Sequence, residues 1–421
     1  MNNFSEKVNS SMQSYKVVML GSSRAGKTVL LASMYQILSI PNEETRFSIS
    51  CDNPEQGGLL NEKYVQIIDP LREWPKSTER ADVSTWQFTC NVQTGDLTIY
   101  PAVKFTYIDY AGQILTEPKQ GQASTKSVQE EIKQADTLLV MLDGYKILRL
   151  MEGEKDYYFV HAELQTLLQI VSQSRQPVHF VLTKWDLFDG KFSLEEICNR
   201  LLEIEAFRQT LLNRRRKYTT TRLIPVSAVG TGFAKPEPQP GGTIIMHKVK
   251  DANARPFQVE IPLACVLPDV LDDQLKRLAE SERRHDFKLN KMNRTVTLLK
   301  ALHLFTPFLS IIALRSLPND KGDKKGHKIK PRSWWVELLA SGALELLIKQ
   351  ATTLIQLSKE NAEERLQTLQ KNKEESIKTV HDQRTAIEHA NNSFLYLREK
   401  LEEAFPASDL SNIPASDSSY N

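Results

Sequence analysis

From Tyr15 onward, short apolar runs, each closed by a Gly- or Asp-bearing turn, alternate with amphipathic segments of helix length. Alternation of that kind predicts a mostly parallel α/β sheet. The predicted strands are 15–20 (YKVVML), 86–92, 98–109, 137–142 (TLLVML), 178–183 (VHFVLT) and 222–226. Most are nearly continuous apolar runs, as strands covered by helices on both faces must be. The second and third flank Gln93-Thr94-Gly95-Asp96, whose glycine suits a hairpin turn, so one antiparallel pair is expected within the sheet.

Two insertions interrupt the alternation. Residues 36–84 are long enough for an extra strand near Phe47 and a helix across Leu59 to Leu71. Residues 231–258 open with Pro236, Pro238, Pro240 and Gly241-Gly242, which predicts a loop and a small hairpin around Ile244 to Val249. After Ile261 the pattern is helical only. A charged stretch runs to 296, an apolar one covers 298–317, a basic break covers 319–332, and one long helix is expected from Ser333 to about Ala404. Val380, Ile387, Phe394 and Leu401 recur every seven residues, but polar partners at Arg384, Asn391 and Arg398 favour a helix docked on a neighbour over an extended coiled coil. The tail repeats Pro-Ala-Ser-Asp at 406–409 and 414–417 in a Ser-rich setting that predicts disorder. The expected organisation is a flexible N-terminus at 1–14, an α/β domain at 15–283, a helical region at 284–404 and a disordered tail at 405–421.

Composition narrows the function classes. The 421 residues are 40% hydrophobic and 25% charged with a net charge of +2, which excludes bulk disorder and gives the whole chain no attraction to nucleic acid or anionic membrane. Cys51, Cys90, Cys198 and Cys265 are far apart with no histidine at ligand spacing, so they read as packing thiols in a reducing compartment. The polar start lacks a signal-peptide pattern, so a cytoplasmic location is expected. Within 298–317, Lys300, Arg315 and Pro307 argue against a membrane span. The break at 319–332 holds six Lys/Arg against two Asp beside Trp334-Trp335, so a membrane-touching paddle stays open as the disfavoured alternative to a packed core. Arg214-Arg215-Arg216-Lys217 reads as a solvated helix end, with no nucleic-acid contact expected.

The chemistry is concentrated at the strand ends. Gly21-Ser22-Ser23-Arg24-Ala25-Gly26-Lys27-Thr28 fits G-x-x-x-x-G-K-[ST] directly after a predicted strand and before a helix. Backbone N–H groups of such a loop point at phosphates, Lys27 reaches their β- and γ-oxygens, and the Thr28 hydroxyl suits Mg²⁺. At the third strand end stands Asp109-Tyr-Ala-Gly112-Gln113: a carboxylate for Mg²⁺, a glycine whose N–H can approach a γ-phosphate, and an amide that can orient water. Thr183-Lys184-Trp185-Asp186 offers a carboxylate to the paired N–H donors of guanine, which adenine lacks, and a lysine stem to cover the base. Ser227-Ala228 follows the last strand, where a backbone N–H can meet the guanine carbonyl.

The ordered boxes GSSRAGKT, DYAGQ, TKWD and SA resemble the Ras-like P-loop GTPases of the TRAFAC class over residues 15 to about 232. The insertion ending in Trp74-Pro75-Lys76-Ser77-Thr78 and the segment Phe257 to Leu263 look like the prokaryotic double-GTPase group associated with bacterial conflict systems. The resemblance implies a P-loop NTPase sheet with helices on both faces, GTP or GDP with Mg²⁺ as ligand, and hydrolysis to GDP and phosphate. It makes Lys27 and Gln113 the catalytic residues, and it makes Thr28, Asp109 and the switch threonine Thr78 the metal residues, with Ser77 and Thr85 competing for the Thr78 role. Ser23 and Arg24 replace the glycines found in Ras itself, and a side chain at Ser23 can crowd Gln113. Arg24, Lys76 and a partner's arginine all stay open as an arginine finger. A protein effector or activator is expected, with the helical region reading out the nucleotide. The rivals are a GTP-binding module with negligible hydrolysis, a dynamin-like membrane GTPase and an ATPase, the last disfavoured by Thr183 to Asp186.

Overall fold

The computed structural model describes residues 12–41, 46–76, 83–110, 123–154, 156–217, 219–238, 244–286 and 343–411. Seven strands form the central sheet: β1 (Ser14–Leu20), β2 (Phe47–Cys51), β3 (Val83–Gln93), β4 (Ile99–Tyr110), β5 (Thr137–Leu142), β6 (Val178–Leu182) and β7 (Thr221–Pro225). Their order is β2-β3-β4-β1-β5-β6-β7. β2, β3 and β4 pair antiparallel, while β4-β1-β5-β6-β7 is parallel throughout. Without β2, which the first insertion contributes, this is the Ras-like order with its antiparallel strand next to β4. The expected P-loop α/β fold is therefore present. Every residue of β5, β6 and β7 is buried, so both faces of this half are covered.

A second sheet is the small hairpin of β8 (Ala234–Pro238) and β9 (Ile244–Lys248). β9 falls within the predicted 244–249, but its partner β8 runs through Pro236 and Pro238, which the sequence assigns to a loop. The β3–β4 turn differs in detail from expectation: the left-handed residue is Leu97, at φ 65°, and not Gly95. Thr94 and Asp96 satisfy the turn, with Thr94 N–H donating to the Thr98 carbonyl at 3.0 Å.

The helices are α1 (Lys27–Leu38), α2 (Pro54–Ile68), α3 (Ala123–Gln134), α4 (Gly144–Met151), α5 (Gln165–Gln173), α6 (Leu194–Leu202), α7 (Glu205–Arg216), α8 (Ile261–Ala264), α9 (Val266–Asp286), α10 (Ala343–Leu357), α11 (Ala362–Lys378) and α12 (Gln383–Ala404). Beyond Ile261 the described residues form no strand beyond an isolated bridge, but the single long helix expected from 333 to 404 is three. Asn361 and Asp382 interrupt it, each accepting the N–H three residues on in a capping box with Glu364 and Thr385. The apolar stretch 298–317, the basic break and Trp334-Trp335 lie outside the described residues. Among the described residues, no helix is long and apolar enough to cross a membrane.

The chain divides into two compact units, Met12–Asp273 with Glu360–Asn421, and Met1–Ser11 with Gln274–Lys359. Helices α11 and α12 thus share a unit with the sheet. α12 packs on β3 and β4, with Phe394 edge-on to Phe47 at 5.0 Å and to Phe105 at 6.1 Å. Further along α12, Arg398 donates to Asp269 at 3.0 Å and Asp272 at 2.7 Å. Arg222 of β7 grips Asp269 through two nitrogens at 2.6 and 2.8 Å and reaches Glu402 of α12 at 2.7 Å, while His179 of β6 meets Asp269 at 2.8 Å. The chain after α12 also departs from expectation. Residues 405–411 pack against the sheet unit instead of forming the start of a disordered tail: Leu410 is buried and its N–H donates to Thr221 O at 2.9 Å.

The basic run at the end of α7 is a further correction. Arg214 is fully buried, and its guanidinium donates to Thr221, Ser174 and the carbonyls of Gln176 and Thr220 at 2.7–3.0 Å. It ties α7 to two strand ends, because a buried guanidinium is tolerated only when its donors are met. Cys90, Cys198 and Cys265 are buried and Cys51 is half-buried, all of them free thiols. Burial pushes Cys198 up to about 11 and Cys265 up to about 12, which makes them poor nucleophiles.

Candidate nucleotide site

The phosphate-loop residues form the turn between β1 and α1. Arg24 and Gly26 take left-handed backbone angles, with φ at 66° and 89°. Gly26 supplies that conformation without strain and lets Leu30 N–H close the first turn of α1 on its carbonyl at 2.8 Å. Lys27, only 7% exposed, donates to the loop carbonyls of Gly21 at 3.0 Å and Ser22 at 3.2 Å. Burial lowers its pKa, and the buried carboxylate of Asp109 at the tip of β4 works against that. The ammonium is thus curled into the loop where phosphate oxygens would lie. Thr28, half-buried in the first helical turn, faces the same cavity.

The predicted base-binding boxes meet at the tips of β6 and β7. Thr183 is anchored by its hydroxyl on Leu142 O at 3.1 Å. Lys184, left-handed at φ 54°, stretches from β6 back over the phosphate loop and donates to Asp143 at 2.6 Å and Arg24 O at 3.4 Å. Ser227 donates its hydroxyl to Asp186 at 2.5 Å while accepting Gly230 N–H at 2.7 Å. Burial pushes the Asp186 carboxyl up, and the Ser227 hydrogen bond opposes it. The backbone of Ser227 is paired both ways with Phe257, at 3.0 and 2.7 Å. Its N–H is thereby occupied, which leaves Ala228 as the backbone position of this box facing the cavity.

Residues 23–30, Asp143, Thr183, Lys184, Asp186 and Ala228 line one cavity of about 1240 Å³, and the two insertions contribute walls at 70–76 and 244–248. The volume exceeds the ordinary small-ligand range, and its lining combines the phosphate loop and the cations Lys27 and Lys184 with the carboxylates of Asp143 and Asp186. Thr78, Ser77, Gly112 and Gln113 lie outside the described residues. Thr85 is an exposed rung of β3, paired with Ile108.

Sequence reasoning missed Asp143-Gly144. Asp143 caps α4 through Tyr145 N–H at 3.0 Å and holds Lys184, so it orients the lysine that also reaches the Arg24 carbonyl of the phosphate loop. Gly144 lets the start of α4 lie against β6: a Cβ there would sit 1.9 Å from the Thr183 carbonyl oxygen. The signal was an Asp-Gly pair directly after the strand TLLVML. Among the described residues, no group of three or more His, Cys, Asp and Glu forms a metal cluster.

Sheet order and phosphate loop together define a Ras-like P-loop NTPase fold. No protein-family model matches the chain, and no curated protein matches it. Similar solved structures include the GTPase-like domain of S. cerevisiae Ski7 bound to GTP, at 16% identity, covering 58% of this chain and 50% of that one with a TM-score of 0.30. Others are the signal recognition particle receptor SRb-GTP/SRX complex from Chaetomium thermophilum (17% identity, 52% of this chain and 92% of that one, TM-score 0.29) and the bacterial selenocysteine-specific elongation factor EF-Sec (16%, 52% and 26%, 0.24). The match thus spans about half the length of the Ski7 domain.

Proposed function

We propose that this protein binds GTP with Mg²⁺, hydrolyses it to GDP and phosphate, and passes its nucleotide state to the helices that follow the α/β domain. The carrying observation is that Lys27, Thr28, Lys184 and Asp186 line one cavity, with Lys184 reaching from the Thr183–Asp186 box to the carbonyl of Arg24 in the phosphate loop. In this reading the loop N–H groups and Lys27 neutralise the β- and γ-phosphates, Asp186 and Ala228 recognise guanine, and Gln113 orients the attacking water. Thr28 and Asp109, a hydroxyl and a carboxylate beside Lys27, are the hard oxygen donors that suit Mg²⁺, with Thr78 as the switch residue. Mg²⁺, when bound, neutralises charge on the β- and γ-oxygens. The domain division at 283/284, the cytoplasmic location and membership of the double-GTPase group belong to the same proposal. The last of these rests on the insertion motif at 74–78 and the segment 257–263.

The readout has a physical route at the base end. Phe405, directly after α12, packs edge-on against Trp185 of the guanine box at 5.7 Å and against Phe257 at 6.2 Å. Movement of TKWD on base binding would therefore reach α12 through one ring.

Base competition tests recognition. Wild type is expected to bind GTP and leave ATP unbound. Asp186→Asn should lose roughly ten- to a hundredfold in GTP affinity, the worth of hydrogen bonds to a charged group, and gain XTP, whose carbonyl replaces the guanine amino donor. Equal binding of ATP and GTP by wild type would refute the guanine box. Single-turnover cleavage tests hydrolysis: Gln113→Leu should keep GTP affinity and slow the step roughly a hundredfold, the cost of a reactant misplaced by about 1 Å. Equal, negligible rates in both proteins would favour the binding module.

A further inference from the structure

The wall of the cavity at 70–76 has little burial of its own. Residues 70–73 are exposed, Leu71 to 95%, so apolar packing does not hold this stretch in place. Its anchors come from the other insertion, across some 170 residues of sequence. Lys248, at the end of β9, donates to three carbonyls of α2 and its exit: Gln66 at 2.6 Å, Asp69 at 2.9 Å and Arg72 at 2.7 Å. A cation at the C-terminus of a helix satisfies orphan carbonyls and complements the helix dipole. The same ammonium lies 4.9 Å from the centre of the Trp74 ring. Trp74 in turn donates its indole N–H to Met246 O at 2.6 Å and stands edge-on to Phe233 at 6.3 Å. The hairpin base is fixed to the main fold, since Val249 N–H donates to Phe233 O at 2.8 Å and Arg255 N–H to Val229 O at 2.7 Å, just beyond the Ser227-Ala228 box.

We propose that Trp74 and Lys248 form a clasp between the two insertions that sets how long a guanine nucleotide stays in the cavity. Both are positioning residues: they hold the 70–76 wall against β9. The inference rests on the guanine-nucleotide reading above. Since both insertions line the cavity that the phosphate loop also lines, a ligand leaves by displacing one wall from the other, and the clasp is the set of contacts that displacement breaks. The segment opens as a local unit, because beyond the bonds around Asp69 its long-range contacts run through Lys248 and Trp74.

The test uses the full chain and fluorescently labelled GDP, measuring association and dissociation separately. Lys248→Met and Trp74→Ala are expected to speed GDP dissociation roughly tenfold while the association rate stays within a factor of two, and Lys248→Arg should restore most of the retention. A merely structural role would lower the melting temperature of the nucleotide-free protein without this split between the two rates. Amide hydrogen exchange on the nucleotide-free protein supplies the second readout, with faster exchange confined to residues 66–76 in both variants. Wild-type dissociation in a folded Lys248→Met protein would overturn the clasp while leaving the nucleotide reading intact. Failure of wild type to bind labelled GDP would overturn both.

Discussion

Asp269→Ala should cost the protein about 3–5 kcal/mol, the usual penalty for removing one partner from a buried ion pair. Asp269 is fully buried on α9 and faces Arg222 of β7, His179 of β6 and Arg398 of α12. Burial alone would raise its carboxyl, but the Arg222 guanidinium and the hydrogen bonds from His179 and Arg222 hold it well below the usual carboxylate range. Removing it strands two guanidiniums, only partly offset by Asp272 and Glu402. Urea unfolding measures the loss, which should reach the sheet and α12 together. A cost under about 1 kcal/mol would show that the cluster is incidental to the docking of α12. The pH profile supplies a second sign. Burial lowers the pKa of His179, so its neutral form contributes stability that is complete above about pH 6.5 and erodes below that. The contribution of Asp269, with a depressed folded value, is present above about pH 4 and fails only in stronger acid. Between those limits the part of the slope due to His179 should be lost in His179→Gln, while the opposing contributions of Asp136, Asp186 and Glu399, whose carboxyls burial raises, should remain.

That cluster illustrates what the sequence could not disclose. His179, Arg222, Asp269 and Arg398 come from four elements spread over 220 residues, and none carries a local signal. Arg214 was hidden in the same way. In a run of four cations the solvated helix end is the ordinary outcome, and only the placement of Ser174, Gln176 and Thr221 around its guanidinium makes burial affordable. The strands were legible because continuous apolar runs such as TLLVML have no other stable use in a soluble domain. The phosphate loop was legible because its glycine spacing and lysine answer a backbone requirement written in consecutive residues. The breaks in the C-terminal helix were legible in principle: Asn361 with Glu364 and Asp382 with Thr385 are capping signals, outweighed in the reading by a seven-residue apolar repeat. Contacts between the insertions, such as Trp74 on Met246, link segments with no pattern in common.

Lys27→Ala should abolish tight nucleotide binding and leave the fold standing. In the proposed reading the ammonium neutralises phosphate charge directly, and charge-assisted hydrogen bonds of this kind are worth about 3 kcal/mol together, roughly a hundredfold in Kd. The folded state does not need it. Burial disfavours the charged amine, as its lowered pKa records, and its two partners are carbonyls of its own loop. The apo melting temperature should therefore hold or rise slightly. Thermal shift with GDP separates the two effects in one experiment. At a GDP concentration of about 100 times the wild-type Kd, wild type gains about 2.7 kcal/mol by mass action, whereas a variant bound a hundredfold more weakly gains about 0.4 kcal/mol. At roughly 2–4 °C per kcal/mol, that is a shift of roughly 5–10 °C against roughly 1 °C. Equal shifts in the two proteins would mean that the phosphates do not sit at Lys27, and the cavity would then have lost the end from which its whole polarity is read.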